Sequence, residues 1–501
     1  MRLDELSAGL GARIARGDGG TEIADVAFDS RRVVPGTLFV CVTGETADGH
    51  DFAPAAVGAG ASALVVEREL DLRVPQVVVA DSRAAMAPLA ARLFSDPSRE
   101  LVTVAVTGTN GKTTTTFLVR AILEDAGLPC GLLGTVKQVV GGVEEPVERT
   151  TPEAIDLQRT LRRMVDGGDR ACVMEVSSHA LVLGRADAID FDVAAFTNLT
   201  QEHLDFHADM ADYFAAKRLL FAPAAGSGGI LPGAAAINVD DPYGARLAAE
   251  LRERGTPPVV AFSASGSDAA ELSAHAIESD ASGVRFEVRG GGEPLRVELG
   301  LPGLFNVENA LAALAATTQA GIGLDEAVAA LARAEPAPGR MEPIDGGQPF
   351  GVLVDYAHTP DSLVNVLTSA RGLTSGGLIC VFGCGGDRDR SKRAPMGRAV
   401  AELADVAILT SDNPRSEEPG AIIAEVLDGI DEVHRRKVRV EPDRRAAIAL
   451  GCAEAVSGDL LVIAGKGHEQ GQELEGGRKI PFDDREVARE ELAALAGAST
   501  Q

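Results

Sequence analysis

Leu101-Val102-Thr103-Val104-Ala105-Val106 runs without a break into Thr107-Gly108-Thr109-Asn110-Gly111-Lys112-Thr113, and a helical pattern begins near Thr114 and Thr115. A short apolar, β-prone run that meets a glycine-containing turn and then a helix is one unit of a parallel α/β layer. Glycines let backbone N–H groups wrap a phosphate, the helix N-terminus adds partial positive charge, and Lys112 reaches the outer phosphates. Thr113 stands where such a loop presents a hydroxyl to Mg²⁺. Val106 occupies the place of the first glycine in G-x-x-x-x-G-K-[ST], so the loop is a variant of the general form. The bland alternative is a βα turn carrying one exposed lysine.

The same order recurs outward from this stretch. Apolar runs at 172–174, 193–196, 378–382, 406–409 and 461–464 lead into polar or glycine-rich clusters at 175–179, 197–207, 383–390, 411–415 and 465–469. In open α/β sheets ligands bind outside the carboxyl ends of strands, so these six clusters are expected to line a site. Three blocks are expected: 1–99, with strands at 38–42, 63–66 and 76–79; 100–336, closing with helical stretches 307–320 and 324–334; and 337–501, opening with a strand at 351–355. Glu335-Pro336-Ala337-Pro338-Gly339-Arg340 marks the second junction, and 224–233 reads as a surface loop.

The chain has 501 residues, 45% hydrophobic and 24% charged, which is ample for several buried cores and excludes a disordered chain or a small disulfide scaffold. Lysine and arginine number 47 against 74 acidic residues, a net charge of −27 that disfavours nucleic acid and anionic membranes as partners. The six cysteines form no C-x-x-C pair, so no zinc site is indicated. The N-terminal Met1-Arg2-Leu3-Asp4-Glu5-Leu6 lacks an apolar core, and no apolar run approaches the ~20 residues of a membrane span. A cytoplasmic protein without membrane insertion is expected.

Several clusters carry chemistry. Glu175, with Ser177, Ser178 and His179, can offer a carboxylate to a hard cation or serve as a helix N-terminal charge. Asn198, His203, Asp205 and His207 suggest Mg²⁺ with a histidine ligand, or a helix cap with exposed histidines. Read by itself, Lys217 is a surface lysine. In the third block Arg388, Arg390, Lys392, Arg393 and Arg398 gather positive charge that suits an anionic ligand, or a solvated loop. Asp412-Asn413-Pro414-Arg415 puts an amide and a guanidinium after a strand, suiting a substrate with carboxylate and amine.

Taken in order, these motifs resemble the Mur ligases, the ATP-dependent amide-forming enzymes of peptidoglycan precursor synthesis. The resemblance spans nearly the whole chain. It includes Phe28-Asp29-Ser30-Arg31, Ala47-Asp48-Gly49-His50, the phosphate loop, Thr150-Thr151-Pro152, the clusters after 175 and 198, and Lys217. It continues through Leu301-Pro302-Gly303-Leu304-Phe305-Asn306, Gly339-Arg340-Met341-Glu342, Asp355-Tyr356-Ala357-His358, Asp387-Arg388-Asp389, Asp412-Asn413-Pro414-Arg415 and Gly465-Lys466-Gly467-His468-Glu469.

The resemblance implies a three-domain α/β architecture: a UDP-binding domain, a central P-loop-type ATPase domain and a C-terminal Rossmann-like domain. It implies the family member that acts third in the series. UDP-N-acetylmuramoyl-L-alanyl-D-glutamate is phosphorylated by ATP, with Mg²⁺, to an acyl phosphate that the amine of meso-diaminopimelate attacks. It assigns Gly108, Thr109, Asn110, Gly111, Lys112, Thr113, Thr114, Thr115, Asn306 and Arg340 to ATP. Phe28, Ser30, Thr46, Ala47, Thr150, Thr151, Ser177 and Arg185 go to the UDP-muramoyl dipeptide, and Thr113, Glu175 and His203 to metal. Lys217 would be carbamylated. Arg388, Asp412, Asn413, Pro414, Arg415, Gly465 and Glu469 would bind diaminopimelate, with Arg415 on the distal carboxylate and Glu469 on the distal ammonium. A monomer is expected. A lysine-adding relative, a folylpolyglutamate-type ligase and a silent muropeptide-binding protein are the alternatives. The string Asp412-Asn413-Pro414-Arg415 argues against the first two, and intact Lys112, Glu175, His203 and Lys217 against the third.

Overall fold

The computed structural model describes residues 1–44, 47–147, 149–203, 206–224, 226–280 and 282–498. The chain forms two compact units. One comprises Met1–Ser273, Arg289–Gly292 and Ala310–Ala330, the other Ala274–Val288, Glu293–Asn309 and Leu331–Gln501.

The first unit holds two sheets. In the smaller, the strand order is Arg13–Ala15, Gln76–Val78, Ala63–Val66, Thr37–Val40, Asp25–Ala27, parallel except for the antiparallel edge Arg13–Ala15. Ala154 and Ile155, from the helix Ala154–Asp166 of the expected second block, complete its core. Arg159 on the same helix pairs with Asp25 at 2.7 Å, and Asp156 with Arg32 at 2.6 Å. That shared packing is why the first two expected blocks fall in one unit.

The larger sheet runs Val259–Ser263, Ala234–Asn238, Val193–Phe196, Val102–Thr107, Ala171–Glu175, Cys130–Leu133, all parallel, with an antiparallel ribbon Gln138–Val140 and Val143–Glu145 beyond. Its strands are near-continuous apolar runs because helices bury both faces. Register puts Glu175 beside Val106 and Phe196 beside Thr107, so the segments after all three strands leave at one edge. Val102–Thr107 lies between two strands that come later in the chain, at the point where the strand order reverses. In open α/β sheets the ligand crevice lies at such a reversal.

The second unit carries the order Glu342–Pro343, Gly351–Asp355, Leu460–Ala464, Leu378–Cys384, Val406–Ser411, Val438–Val440, parallel after the first pair. Alternate residues feed two cores: Leu353, Cys380 and Phe382 one face, Val352, Ile379 and Val381 the other. The six clusters expected at strand ends therefore divide as three on each of two sheets. Cys380 and Cys384 both lie within a strand, and burial pushes the Cys384 thiol up to about 12, so it is an inert filler. No helix among the described residues is long and apolar enough to cross a membrane.

Candidate active site

The helix after the phosphate loop starts at Lys112, two residues earlier than its pattern suggests, because Gly111 caps it in the left-handed region at φ 85°. At Gly108, φ 150°, a Cβ would fall 1.9 Å from the Thr197 hydroxyl, so only glycine lets the loop pass the next strand. Neighbours pin the turn. Asn110 N–H donates to Asn198 Oδ1 at 2.8 Å, Thr109 N–H to the Asn198 carbonyl at 2.9 Å, and Thr197 Oγ1 to the Asn110 carbonyl at 2.6 Å. Lys112 Nζ curls back onto the Gly108 and Thr109 carbonyls at 3.0 and 2.8 Å. The first-turn amides of a helix have no intrahelical partner, so those of Gly111, Lys112 and Thr113 form an anion cradle with this ammonium beside it. Thr114 and Thr115 are buried beneath it.

Glu175 is 1% exposed, which rules out the solvated helix-terminal charge. Its Oε1 accepts from Thr113 Oγ1 at 3.0 Å and from Thr135 N–H at 2.8 Å, and its Oε2 from Thr135 Oγ1 at 3.0 Å. Thr135 was not foreseen, although it too follows a strand, Cys130–Leu133. Its hydroxyl continues to Thr150 Oγ1 at 3.1 Å. Thr151 Oγ1 donates to the Glu175 carbonyl at 3.0 Å and accepts from Ser177 N–H at 3.2 Å, while Ser177 Oγ caps the helix Ser178–Val182. Arg185 pairs with Glu153 at 2.8 Å, and Glu153 also takes Arg149 at 2.7 Å and Arg83 at 3.4 Å. Three guanidiniums on one carboxylate leave positive charge over, beside Thr150 and Thr151.

Lys217 is not a surface lysine. The helix Met210–Arg218 buries it to 1% exposure, because its partners lie inward: Nζ donates to the Gly108 carbonyl at 2.8 Å and lies 4.6 Å over the Tyr213 ring. Burial, and then the charge of Lys112, push its ammonium well below the ordinary value. His207 is buried rather than exposed, its Nε2 3.0 Å from Ser178 Oγ. His203 sits in the left-handed region at φ 56°, with its ring edge-on to His179 at 4.9 Å. Asp205 lies outside the described residues, and among the described residues no three His, Cys, Asp or Glu are grouped to hold a metal.

In the smaller sheet's loops, Ser30 opens the 3₁₀ turn Ser30–Arg32, which Asp29 caps, and Phe28 packs on the core. Ala47 is exposed, its carbonyl accepting from Gly44 N–H at 2.9 Å; Thr46 lies outside the described residues.

In the second unit the loops after three strands interlock. A Cβ on Gly386 would meet the Pro414 carbonyl at 1.9 Å. Lys466, 0% exposed, is the hub: its Nζ donates to Asn413 Oδ1 and Glu469 Oε2, each at 2.8 Å, and lies 3.4 Å from Asp412. Asn413 Nδ2 also reaches Glu469 Oε2 at 2.8 Å. Arg415, at φ 52°, donates from Nε to Glu473 at 2.9 Å and from Nη1 to the Gly386 carbonyl at 2.8 Å. Gly465, φ 123°, brings its backbone against Asp412, and Arg388 is exposed nearby on the 385–390 loop. The expected five-cation cluster is smaller. Arg390 pairs with Glu425, and Arg393 with Glu417 at 2.7 Å and Glu425 at 2.8 Å, because the helix Pro419–Leu427 brings acids to meet them. Glu473 was not singled out from the sequence, since it does not differ locally from a surface charge, and Lys466 was read only as part of the 465–469 motif, with no role of its own.

Asn306 spends its side chain on the Pro302 carbonyl at 2.7 Å and Asn309 at 2.9 Å. Arg340 lies 4.8 Å over the Tyr356 ring with its Nε buried and unpartnered, which suits an acceptor brought by a ligand. Tyr356 stacks at 4.9 Å on His468, whose imidazole burial pushes down to about 4.

A family model described as Mur ligase middle domain matches residues 106–317. One described as Mur ligase, glutamate ligase domain matches 339–467, and one described as Mur ligase family, catalytic domain matches 22–99. The chain is 46% identical to the UDP-N-acetylmuramoyl-L-alanyl-D-glutamate--2,6-diaminopimelate ligase of Streptomyces coelicolor, over 99% of this chain and 97% of that one. It is 45% identical to the protein of the same name from Geobacillus thermodenitrificans, over 98% and 99%. A solved structure of a ligase of that name covers 99% of both chains at 33% identity and TM-score 0.72. The folylpolyglutamate synthase of Mycobacterium tuberculosis, complexed with ADP, shares the fold at 19% identity and TM-score 0.59, over 77% of this chain.

Proposed function

The chain belongs to the Mur ligase family, and from this we infer that it is the ATP-dependent ligase joining 2,6-diaminopimelate to UDP-N-acetylmuramoyl-L-alanyl-D-glutamate in peptidoglycan precursor synthesis. The observation that carries the reading is the near-full-length identity to relatives of that name, together with the charged cluster of Asp412, Asn413 and Arg415. Arg415 gives the specificity a physical basis: diaminopimelate has a distal carboxylate that a guanidinium can hold, and lysine has none.

ATP binds through the amides of the phosphate loop, with Lys112 turning from the loop carbonyls to the phosphates. Mg²⁺ fits the donor set: the Thr113 hydroxyl and Glu175 carboxylate are hard oxygen ligands 3.0 Å apart, and phosphate oxygens and water complete such shells. His203 is proposed for a second ion. An ion held by these residues would supply positive charge to the transferring phosphoryl group.

Thr150, Thr151, Ser177 and the surplus cation around Arg185 hold the D-glutamyl carboxylate in line with the phosphate loop, while Phe28, Ser30, Thr46 and Ala47 hold the uridine end. In the second unit Arg340 offers its unpartnered Nε to an anionic ligand, whereas the Asn306 amide is already engaged by Pro302 and Asn309. Glu469, fixed by Lys466 and Asn413 through one oxygen, keeps the other for the distal ammonium, with Arg388, Pro414 and Gly465 as walls. Lys217, held neutral, attacks carbon dioxide through its nitrogen lone pair and releases a proton. The product is an anionic carbamate that balances Lys112.

The test is mass spectrometry of the product. ATP, Mg²⁺, the UDP-dipeptide and meso-diaminopimelate yield a species heavier by the amino acid less one water. Its absence under conditions where ATP is bound refutes the reading.

A further inference from the structure

Arg415 already has a carboxylate. Glu473 Oε2 accepts from its Nε at 2.9 Å, and the pair is partly open to solvent, the two side chains being 20% and 31% exposed. The strand Gly471–Glu473 that delivers Glu473 is fixed by bonds that do not involve this carboxylate. Glu473 N–H donates to Asn413 Oδ1 at 2.9 Å, Arg415 N–H to the Glu473 carbonyl at 3.1 Å, and Gln472 Nε2 to the Asp412 carbonyl at 2.6 Å. The opposite edge of the strand pairs with Lys479–Pro481. The backbone is therefore anchored, and only the Glu473 side chain is free to leave.

On the functional reading above, we propose that Glu473 is the resting counter-ion of Arg415, a specificity-determining residue that the distal carboxylate of the incoming amino acid must displace. Glu473 already neutralises Arg415. A second carboxylate on Arg415 brings a like charge against Glu473, which costs free energy unless Glu473 swings to solvent. An amino acid without a distal carboxylate leaves the pair intact and gains nothing from Arg415. Glu473 thus lowers the affinity for the dicarboxylic substrate while keeping the empty guanidinium paired, and it excludes weaker anions from the site.

The experiment measures the KM for diaminopimelate in wild type, Glu473→Gln and Glu473→Ala. Gln keeps an acceptor for Arg415 Nε and removes only the charge; Ala removes both, and the anchoring backbone bonds remain. Displacement of an exposed ion pair predicts that both variants lower this KM about 3- to 5-fold, with no change in the KM for the UDP-dipeptide. An unchanged KM in both variants, or a raised KM in Glu473→Ala, overturns the proposal; the raised KM would make Glu473 a residue that orients Arg415. Wild-type turnover with diaminopimelate is the control on the functional reading. Without it both ideas fall, whereas wild-type turnover with unmoved variants sinks Glu473 alone.

Discussion

Lys217 Nζ and Lys112 Nζ converge on one atom, the Gly108 carbonyl oxygen, at 2.8 and 3.0 Å. Burial disfavours the charged form of Lys217, and the repulsion between two ammoniums on one carbonyl adds to it. Its ammonium lies well below 10.5 in the folded chain and near that value when unfolded. The stabilising contribution is therefore complete above pH 10.5 and is lost as pH falls through the folded value, since the unfolded chain then binds the proton more tightly. In bicarbonate-free buffer, denaturant midpoints of wild type fall on going from pH 10 to pH 7 more than those of Lys217→Met. Parallel curves would show that Lys217 is protonated in the fold.

Carbamylation, proposed above for the same side chain, needs the free amine. Protein equilibrated with ¹³C-bicarbonate is expected to show one carbamate carbon signal that Lys217→Met lacks. A signal retained in the variant would assign it elsewhere.

Lys112 and the Thr113–Glu175 pair are proposed above to act in phosphoryl transfer. Lys112→Ala and Glu175→Gln are each expected to lower kcat by about 100-fold or more, the scale of one lost electrostatic stabiliser. Glu175→Gln should also raise the Mg²⁺ concentration for half-maximal rate. Formation of acyl phosphate at wild-type rate in Lys112→Ala would contradict its role.

Arg415→Ala removes the group proposed to distinguish diaminopimelate. Loss of a charge-assisted contact worth about 2 kcal/mol predicts a KM for diaminopimelate raised about 30-fold. The KM for the UDP-dipeptide should stay within twofold. A parallel rise in both would mean that the loop had collapsed.

Arg444 and Asp484 form a fully buried pair, 0% exposed on both sides, closed by a 2.6 Å bond. Asp484→Asn leaves the guanidinium uncompensated and is expected to destabilise the second unit by about 3–5 kcal/mol. Differential scanning calorimetry would place the loss in one transition. An unshifted thermogram would show that water reaches Arg444.

The strands and the loops behind them were legible because apolar runs and glycines act locally: Ala63–Val66 and Val193–Phe196 fall where their apolar runs place them. Gly108, Gly111, Lys112 and Thr113 suggest a phosphate loop from the sequence, although Val106 stands in place of the first glycine. What the sequence hid was burial and pairing at long range. Lys217 looks like any helical lysine until Gly108 meets it from 109 positions away. Arg393 reads as a ligand cation until Glu417 and Glu425 reach it. Lys466 and Glu473 carry no local sign, because their meaning lies in Asn413 and Arg415, which the sheet brings to them. The carbamate at Lys217 entered only by family resemblance, and the burial that disfavours its ammonium is its physical counterpart.

The most direct measurement is phosphate release from ATP and Mg²⁺ with UDP-N-acetylmuramoyl-L-alanyl-D-glutamate, offering meso-diaminopimelate in one reaction and L-lysine in another. Release that depends on diaminopimelate and stays at background with lysine is the predicted result. Equal release with lysine, or none with either acceptor, would contradict it.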